Sequence, residues 1–494
     1  MPRGHDERMD LDPRACYRAL TTRDVRFDGR LFVGVRTTGI YCRPVCPART
    51  PKREHVQFFP TAAAAHEAGF RPCLRCRPET APDLAAWRGT SNTVARALTL
   101  IEMGGLDDVD VDTLASRLGV GERHLRRLFR QHLGASPIAV AQTRRVLLAK
   151  QLIHETTLPM SEVALASGFG SIRRFNETFQ RLFNRPPTAL RRIGAGSTAA
   201  ARGEVTLKLR YKPPYDWVSM LGFLSARAIR GVEVIRDGVY MRTIDLDGVH
   251  GIVMVRPGKG AALKVTVRFP RLSALPTIIA RLRRVFDLAA DPHAIGLQLS
   301  EDPTLARLVA MRPGLRVPGS WEGFELAVRA VLGQQITVSA AVGLAGKIVA
   351  AHGEPLVLDG ASVEGLTHVF PRPERLAAIE PTTLPMPRAR AAALVALAAS
   401  VAADPFIFSI GRDLDEVVAQ LRSLRGIGEW TAQYIAMREL REPDAFPSAD
   451  IGLMRAMTGP DGTRPTANVL LARAERWRPW RAYAAQHLWM SDAT

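Results

Sequence analysis

Four cysteines in two close pairs constrain this 494-residue chain more than any other feature. Cys42 and Cys46 stand in "YCRPVC", Cys73 and Cys76 in "RPCLRC", with 26 residues between the pairs. Five cysteines in all are too few for a disulfide scaffold of this length. Four thiolates so spaced suit one tetrahedral zinc ion; their softness disfavours magnesium and calcium and leaves iron as a weaker alternative. Spacing alone points to a structural metal. Cys16 lies outside the pattern and reads as a core or surface thiol.

The length implies three or four domains, each able to bury its own core. No run of about 20 apolar residues is present, so no membrane span is expected. The opening "MPRGHDERMDLDPR" has no apolar signal region, so a reducing cytoplasm is expected. The net charge of +19, mostly arginine, suggests a polyanion partner, with nucleic acid ahead of membrane surface. An arginine-rich genome would raise the same count.

Composition shifts divide the chain. "RPETAPDL" (77–84) closes the cysteine region. Residues 91–192 carry apolar residues at helical spacing, with two helix-turn-helix patterns. "GAGSTAAARG" (194–203) is a linker, 204–290 alternates as strands, and 291–494 is helical again.

The string "FVGVRTTGIYCRPVCPAR…GFRPCLRCRP" resembles the N-terminal domain of the adaptive-response protein Ada. That resemblance implies that Cys42, Cys46, Cys73 and Cys76 hold one zinc and that Cys42 accepts a methyl group from a methylated DNA phosphate. Zinc keeps a thiol deprotonated at neutral pH and so nucleophilic. Methylating one of four thiolates removes a negative charge from the face that meets DNA, so binding should tighten. Arg49, Arg71 and Arg75 occupy matching positions for phosphate contacts; solvation is their ordinary role.

In "DTLASRLGVGERHLRRLFRQHLG", Ala115, Leu118 and Val120 are expected to pack the turn, with Leu125 and Phe129 under the second helix. Arg123, His124, Arg126, Arg127 and Arg130 then face outward. In "MSEVALASGFGSIRRFNETFQRLFNRPPTALRR", Ser171, Arg173, Arg174, Asn176 and Gln180 lie on the recognition helix. Arginine and asparagine there can reach guanine and adenine edges in the major groove. The tandem resembles the AraC-type DNA-binding domain.

"LRSLRGIGEWTAQYIAMRELREPDAFPSAD" (421–450) places Gly426 and Gly428 in a tight hairpin ahead of a helix whose first amides suit a phosphate. An ordinary helix–helix turn would also favour these glycines. Asp450 follows 22 positions after Gly428. Over about 205–494 the chain resembles the helix-hairpin-helix glycosylases of the 3-methyladenine DNA glycosylase II type. The resemblance rests also on "YKPPYDWVSMLGFLSARAI", "RPGLRVPG", "FELAVRAVLGQQ" and "AERWRPWRAYAAQHLW". It implies Asp450 as the catalytic aspartate and Trp430, Tyr434 and Trp489 as pocket aromatics. Gln335 stands at the position of an apolar wedge that fills the gap left by a flipped base. Ile451 replaces a tyrosine beside the aspartate. A hairpin cation held by carbonyls is a further family feature. The "PCHR" motif of the alkylguanine methyltransferase domain is absent, so repair of O6-methylguanine is not expected.

The expected fold class is multidomain α+β. It comprises a small zinc domain (1–83), an AraC-type all-α double helix-turn-helix domain (91–192), an antiparallel α+β domain (204–290) and an all-α helix-hairpin-helix glycosylase body (291–494). The expected partners are alkylated double-stranded DNA, promoter DNA and RNA polymerase, without membrane. A monomer, cytoplasmic and nucleoid-associated, with zinc and no organic cofactor, completes the expectation. Two alternatives are a regulator whose glycosylase-like body is inactive, and a zinc module that only targets an enzyme. Trp430 stands where strand-cutting relatives carry a Schiff-base lysine, so borohydride reduction during reaction with alkylated duplex should trap no covalent DNA adduct.

Overall fold

The computed structural model describes residues 12–81, 92–191 and 204–492, apart from 359, 361, 406, 409–413 and 460. The linker at 194–203 and the last three residues of the connector, 82–84, lie outside the described residues. Two compact units emerge: Met1–Tyr211 with Arg271–Ala280, and Lys212–Pro270 with Arg281–Thr494.

The first unit opens with a four-stranded sheet in the order Val56–Phe59, Phe32–Val35, Ile40–Cys42, Arg71–Pro72. The first three strands are antiparallel; the short last strand runs parallel to Ile40–Cys42. Phe32, Tyr41, Phe59 and Phe70 close one face with the helix Ala62–Glu67, and Cys16 is buried beneath the other with Leu31 and Val33. Cys16 is therefore a core residue.

Two helix-turn-helix pairs follow, Val111–Arg117 with Glu122–Leu133, and Met160–Ala166 with Ile172–Phe183, joined by the long helix Pro137–Glu155. Each turn passes through a positive-φ glycine, Gly119 (+68°) and Gly168 (+84°), a conformation that L side chains rarely adopt. Ala115, Leu118, Leu125 and Phe129 are buried as expected, and Val120 packs against them. Under the second recognition helix Phe169, Phe175, Phe179 and Phe183 form a ladder of rings 4.8–5.5 Å apart.

The long helix also grips the cysteine domain. Lys150, fully buried, donates to Glu79 Oε2 at 2.8 Å and to the Cys73 carbonyl at 3.2 Å. His66 bonds Thr143 at 2.9 Å, and Glu67 accepts from the Ser136 hydroxyl at 2.9 Å. A buried charge pair is tolerated only when its donors and acceptors are satisfied, and here they are.

In the second unit the strands Glu233–Arg236, Val239–Leu246, Val249–Pro257 and Ala262–Arg268 form an antiparallel meander. Its alternation is visible in the last strand, where Leu263, Val265 and Val267 are buried between half-buried Lys264, Thr266 and Arg268. The remainder is helical. Gly323–Leu332 is buried along nearly its whole length, which makes it the central helix of the body. Around it stand Val338–His352, Arg388–Ala403, Leu414–Arg422, Glu429–Arg438 and Arg481–Asp492. No helix among the described residues is long and apolar enough to cross a membrane.

A buried ion-pair network joins sheet and helices in this unit. Glu325 accepts from Arg242 at 2.7 Å and from Arg329, which also donates to Glu233. Burial by itself raises the Glu325 carboxyl, but Arg242 and Arg329 override it and hold it below its ordinary value. A depressed folded pKa gives stability that is present above the unfolded value, about 4.3, and is lost as pH falls through the folded one. Glu325→Gln should therefore lower denaturant stability by about 3–5 kcal/mol near pH 7 and flatten the loss below about pH 4. Tryptophan fluorescence reads this unit, which holds all the tryptophans except Trp87.

Candidate active site and metal centre

The two cysteine pairs meet because strand pairing brings them together. Cys42 ends its strand opposite Val33, and the Cys73 amide donates to the Tyr41 carbonyl at 3.0 Å. The four Sγ atoms all lie within 4.8 Å of one another. A tetrahedral zinc with Zn–S bonds of about 2.3 Å separates its sulfurs by about 3.8 Å, so the donor set fits. Backbone amides support the sulfurs: Arg43 N donates to Cys76 Sγ at 3.4 Å and Arg75 N to Cys73 Sγ at 3.3 Å. Arg43 fastens the loop through Asp28 and through Thr80 Oγ1 at 2.7 Å. The cluster is the zinc site of the chain, with one Zn2+ for four thiolates. Cys46, Cys73 and Cys76 are buried (7%, 6% and 8% exposed), whereas Cys42 is partly open to solvent. Arg49 and Arg75 are exposed; Arg71 is half-buried, its guanidinium 6.0 Å from the Phe183 ring.

Both recognition helices present polar faces. Arg123, His124, Arg126, Arg127, Arg130, Arg173, Arg174, Asn176 and Gln180 are exposed, opposite buried phenylalanines. Ser171 caps its helix by accepting from Arg174 N at 3.1 Å. Arg126 and Arg173 are paired along their own helices with Glu122 and Glu177, and Arg130 with Glu67. Exposed pairs of this kind are worth under about 1 kcal/mol and exchange readily for phosphate or base contacts.

The second unit encloses an open cavity of about 1270 Å³. Trp430, Tyr434, Asp450, Trp489 and Gln335 line it together, as does Gly428. Trp430 and Tyr434 lie one turn apart on Glu429–Arg438 and stack, centroids 5.2 Å apart and planes 9° from parallel. Trp489, from Arg481–Asp492, meets Tyr434 edge-on at 6.3 Å. Asp450 is the N-cap of Ile451–Ala456. Its Oδ2 accepts from Trp430 Nε1 at 2.8 Å; its Oδ1 accepts from Trp489 Nε1 at 2.9 Å and from Leu453 N at 3.0 Å. Three donors from three segments thus fix the plane of one carboxylate. Ile451 is exposed at the rim.

Gly426 adopts φ +84°, and a Cβ there would lie 2.5 Å from that of Ala393, so only glycine fits. A Cβ on Gly428 would meet nothing within 4 Å. Gln335 sits exposed at φ +60° at the turn between Gly323–Leu332 and Val338–His352.

Sequence reasoning missed four neighbours. Gln334 donates to the Gly426 carbonyl at 2.8 Å and to Thr431 Oγ1 at 3.2 Å, tying the Gln335 turn to the hairpin, while Arg390 holds the Gln334 carbonyl at 2.6 Å. Arg227 and Arg438 line the inner wall. The only signal for any of them was the glutamine pair in "LGQQ" and the arginine in "LSARAI".

A four-thiolate zinc site, two helix-turn-helix pairs and a hairpin-and-aspartate cavity define a protein that joins DNA recognition to base chemistry. Family models match as the metal binding domain of Ada (15–79), a helix-turn-helix domain (114–193) and the AlkA N-terminal domain (206–322). The chain is 44% identical to the probable bifunctional transcriptional activator/DNA repair enzyme AlkA of Mycobacterium tuberculosis, over 97% of each chain. It belongs to that bifunctional transcriptional activator/DNA repair enzyme family. It is also 34% identical to DNA-3-methyladenine glycosylase 2 of Escherichia coli, over 58% of this chain and 96% of that one. To the bifunctional transcriptional activator/DNA repair enzyme Ada of Escherichia coli it is 39% identical, over 26% of this chain and 35% of the other. A 3-methyladenine DNA glycosylase structure from Archaeoglobus fulgidus shares the fold, with a TM-score of 0.51 at 24% identity, over 58% of this chain and 98% of that one.

If the two indole N–H groups position the carboxylate, Trp489→Phe should keep the ring and lose the bond to Oδ1. Single-turnover base release from alkylated duplex should then fall roughly tenfold, with DNA affinity within about threefold of wild type.

Proposed function

We propose that this protein couples a methylphosphotriester sensor and transcription regulator to a monofunctional glycosylase for alkylated purines of the 3-methyladenine and 7-methylguanine type. The observation that carries the enzymatic half is the Asp450 carboxylate, clamped by two indoles beside a stacked Trp430–Tyr434 pair in an open cavity. An alkylated purine is a positively charged leaving group. Once turned out of the helix it meets electron-rich rings that favour it. As the glycosidic bond stretches, Asp450 faces developing positive charge on the sugar and can orient the attacking water. Tyr434, Trp430 and Trp489 hold the base. Gln335 fills the vacated stack and can hydrogen-bond the orphaned partner base. Gly426 and Gly428 let the hairpin amides approach a phosphate.

In the other half, bound zinc keeps the thiolates deprotonated. Cys42, the solvent-facing sulfur, accepts the methyl group, and Arg49, Arg71 and Arg75 hold flanking phosphates. The loss of one negative charge at that face strengthens DNA binding. The helices bearing Arg123, Arg126, Arg127 and Arg173, Arg174, Asn176 read promoter DNA. The polypeptide works as a monomer in the cytoplasm at the nucleoid and contacts RNA polymerase. The module boundaries proposed are 1–83, 91–192, 204–290 and 291–494.

One incubation tests both halves. The full chain is mixed with duplex DNA carrying alkylated bases and methylphosphotriesters. Free-base chromatography should show release by wild type and none by Asp450→Asn, which still binds the duplex. Peptide mass measurement should find a methyl increment on the Cys42 peptide in both proteins. Excision retained by Asp450→Asn, or an unlabelled Cys42, would refute the corresponding half.

A further inference from the structure

Besides Asp450, the cavity is lined by a cluster of guanidinium groups. Arg227, Arg242, Arg329 and Arg438 all line it, against the carboxylates Glu233 and Glu325. Those carboxylates are taken. Glu325 is held by Arg242 and Arg329, and Glu233 by Arg329, by the Tyr240 hydroxyl at 2.7 Å and by Ile229 N at 3.1 Å. Arg227 and Arg438 have no carboxylate partner among the described residues. Arg438 is spent on the carbonyls of Pro318 and Gly319 and on the Tyr434 hydroxyl. Arg227 lies flat on Phe223, its guanidinium carbon 3.8 Å from the ring centroid, and it donates to the Phe223 carbonyl at 3.4 Å and to the Tyr434 hydroxyl.

Arg227 also faces the Tyr434 hydroxyl. That oxygen already accepts from Arg438, and among the described residues nothing accepts its proton. Burial pushes the phenol upward, but Arg438 and then Arg227 override it and hold it below its ordinary value, which makes it a stronger donor. This end of the cavity therefore offers hydrogen-bond donors and lacks a free carboxylate.

We infer that Arg227, together with the Tyr434 hydroxyl, determines base specificity by donating hydrogen bonds to the six-position carbonyl oxygen of the turned-out base. The inference rests on the glycosylase reading above and names a preference within it: alkylated guanine over alkylated adenine. An alkylated adenine carries an amine at that position. Its N–H groups would face donors, a mismatch that should make release of alkylated adenine slower than that of alkylated guanine. A charge-assisted bond to a carbonyl has no such conflict. The aromatic rings accept either base equally, so the donors at this wall supply the discrimination.

The test uses the full chain and one duplex methylated on both purines, following single-turnover release of 7-methylguanine and 3-methyladenine by chromatography. Wild type is compared with Arg227→Met, Arg227→Lys and Tyr434→Phe. The ratio of guanine to adenine product should fall roughly tenfold or more in Arg227→Met, recover in part in Arg227→Lys, and fall again in Tyr434→Phe. Rates that move together and leave the ratio unchanged would overturn the inference while leaving the glycosylase reading intact. Should Arg227→Met fail to fold, the Tyr434→Phe ratio decides. Wild type that releases neither base removes the glycosylase reading and this inference with it.

Discussion

One carboxylate organises the base cavity. Asp450 accepts hydrogen bonds from an indole on Glu429–Arg438, an indole on Arg481–Asp492 and the amide of Leu453. Each bond is short and each comes from a different segment. Together they lock the aspartate's orientation and fix where Trp430 and Trp489 can lie. Trp430 in turn sets the plane on which Tyr434 stacks. A charge held by fixed donors needs no reorganisation when an opposite charge develops beside it. The same bonds hold the cavity rigid.

The first unit has a comparable hinge of charge. Lys150 and Glu79 are both almost fully buried, and the lysine reaches on to the Cys73 carbonyl. The zinc loop and the long helix between the two DNA-reading motifs therefore share one desolvated ion pair. Breaking such a pair by removing one partner is costly, about 3–5 kcal/mol, because the other is left charged in a dry place. The cysteine domain and the first helix-turn-helix pair are thereby joined by more than chain connectivity, with Glu67, Ser136, His66 and Thr143 adding further bonds.

Much of this was legible along the chain. Cysteine spacing announced the metal, apolar spacing in "DTLASRLGVGERHLRRLF" announced a buried helix face, and "RGIGEW" announced a hairpin running into a helix. The residues that resemblance singled out for the cavity do gather there: Trp430, Tyr434, Asp450, Trp489 and Gln335. Arg227 and Gln334 escaped notice for physical reasons. In a chain with 67 lysines and arginines, one more arginine reads as a solvated charge. Gln334 looks like any polar loop residue until its amide is seen 2.8 Å from a carbonyl 92 positions away.

Local order is encoded locally, by repeat spacing, turn glycines and caps, so the sequence alone determined the modules, the metal donors and the position of the glycine hairpin. Which cysteine faces solvent, which indoles reach Asp450 and which guanidiniums go without a carboxylate depend on contacts between distant segments. Burial and desolvation are properties of the packed chain, and only the tertiary structure could decide them.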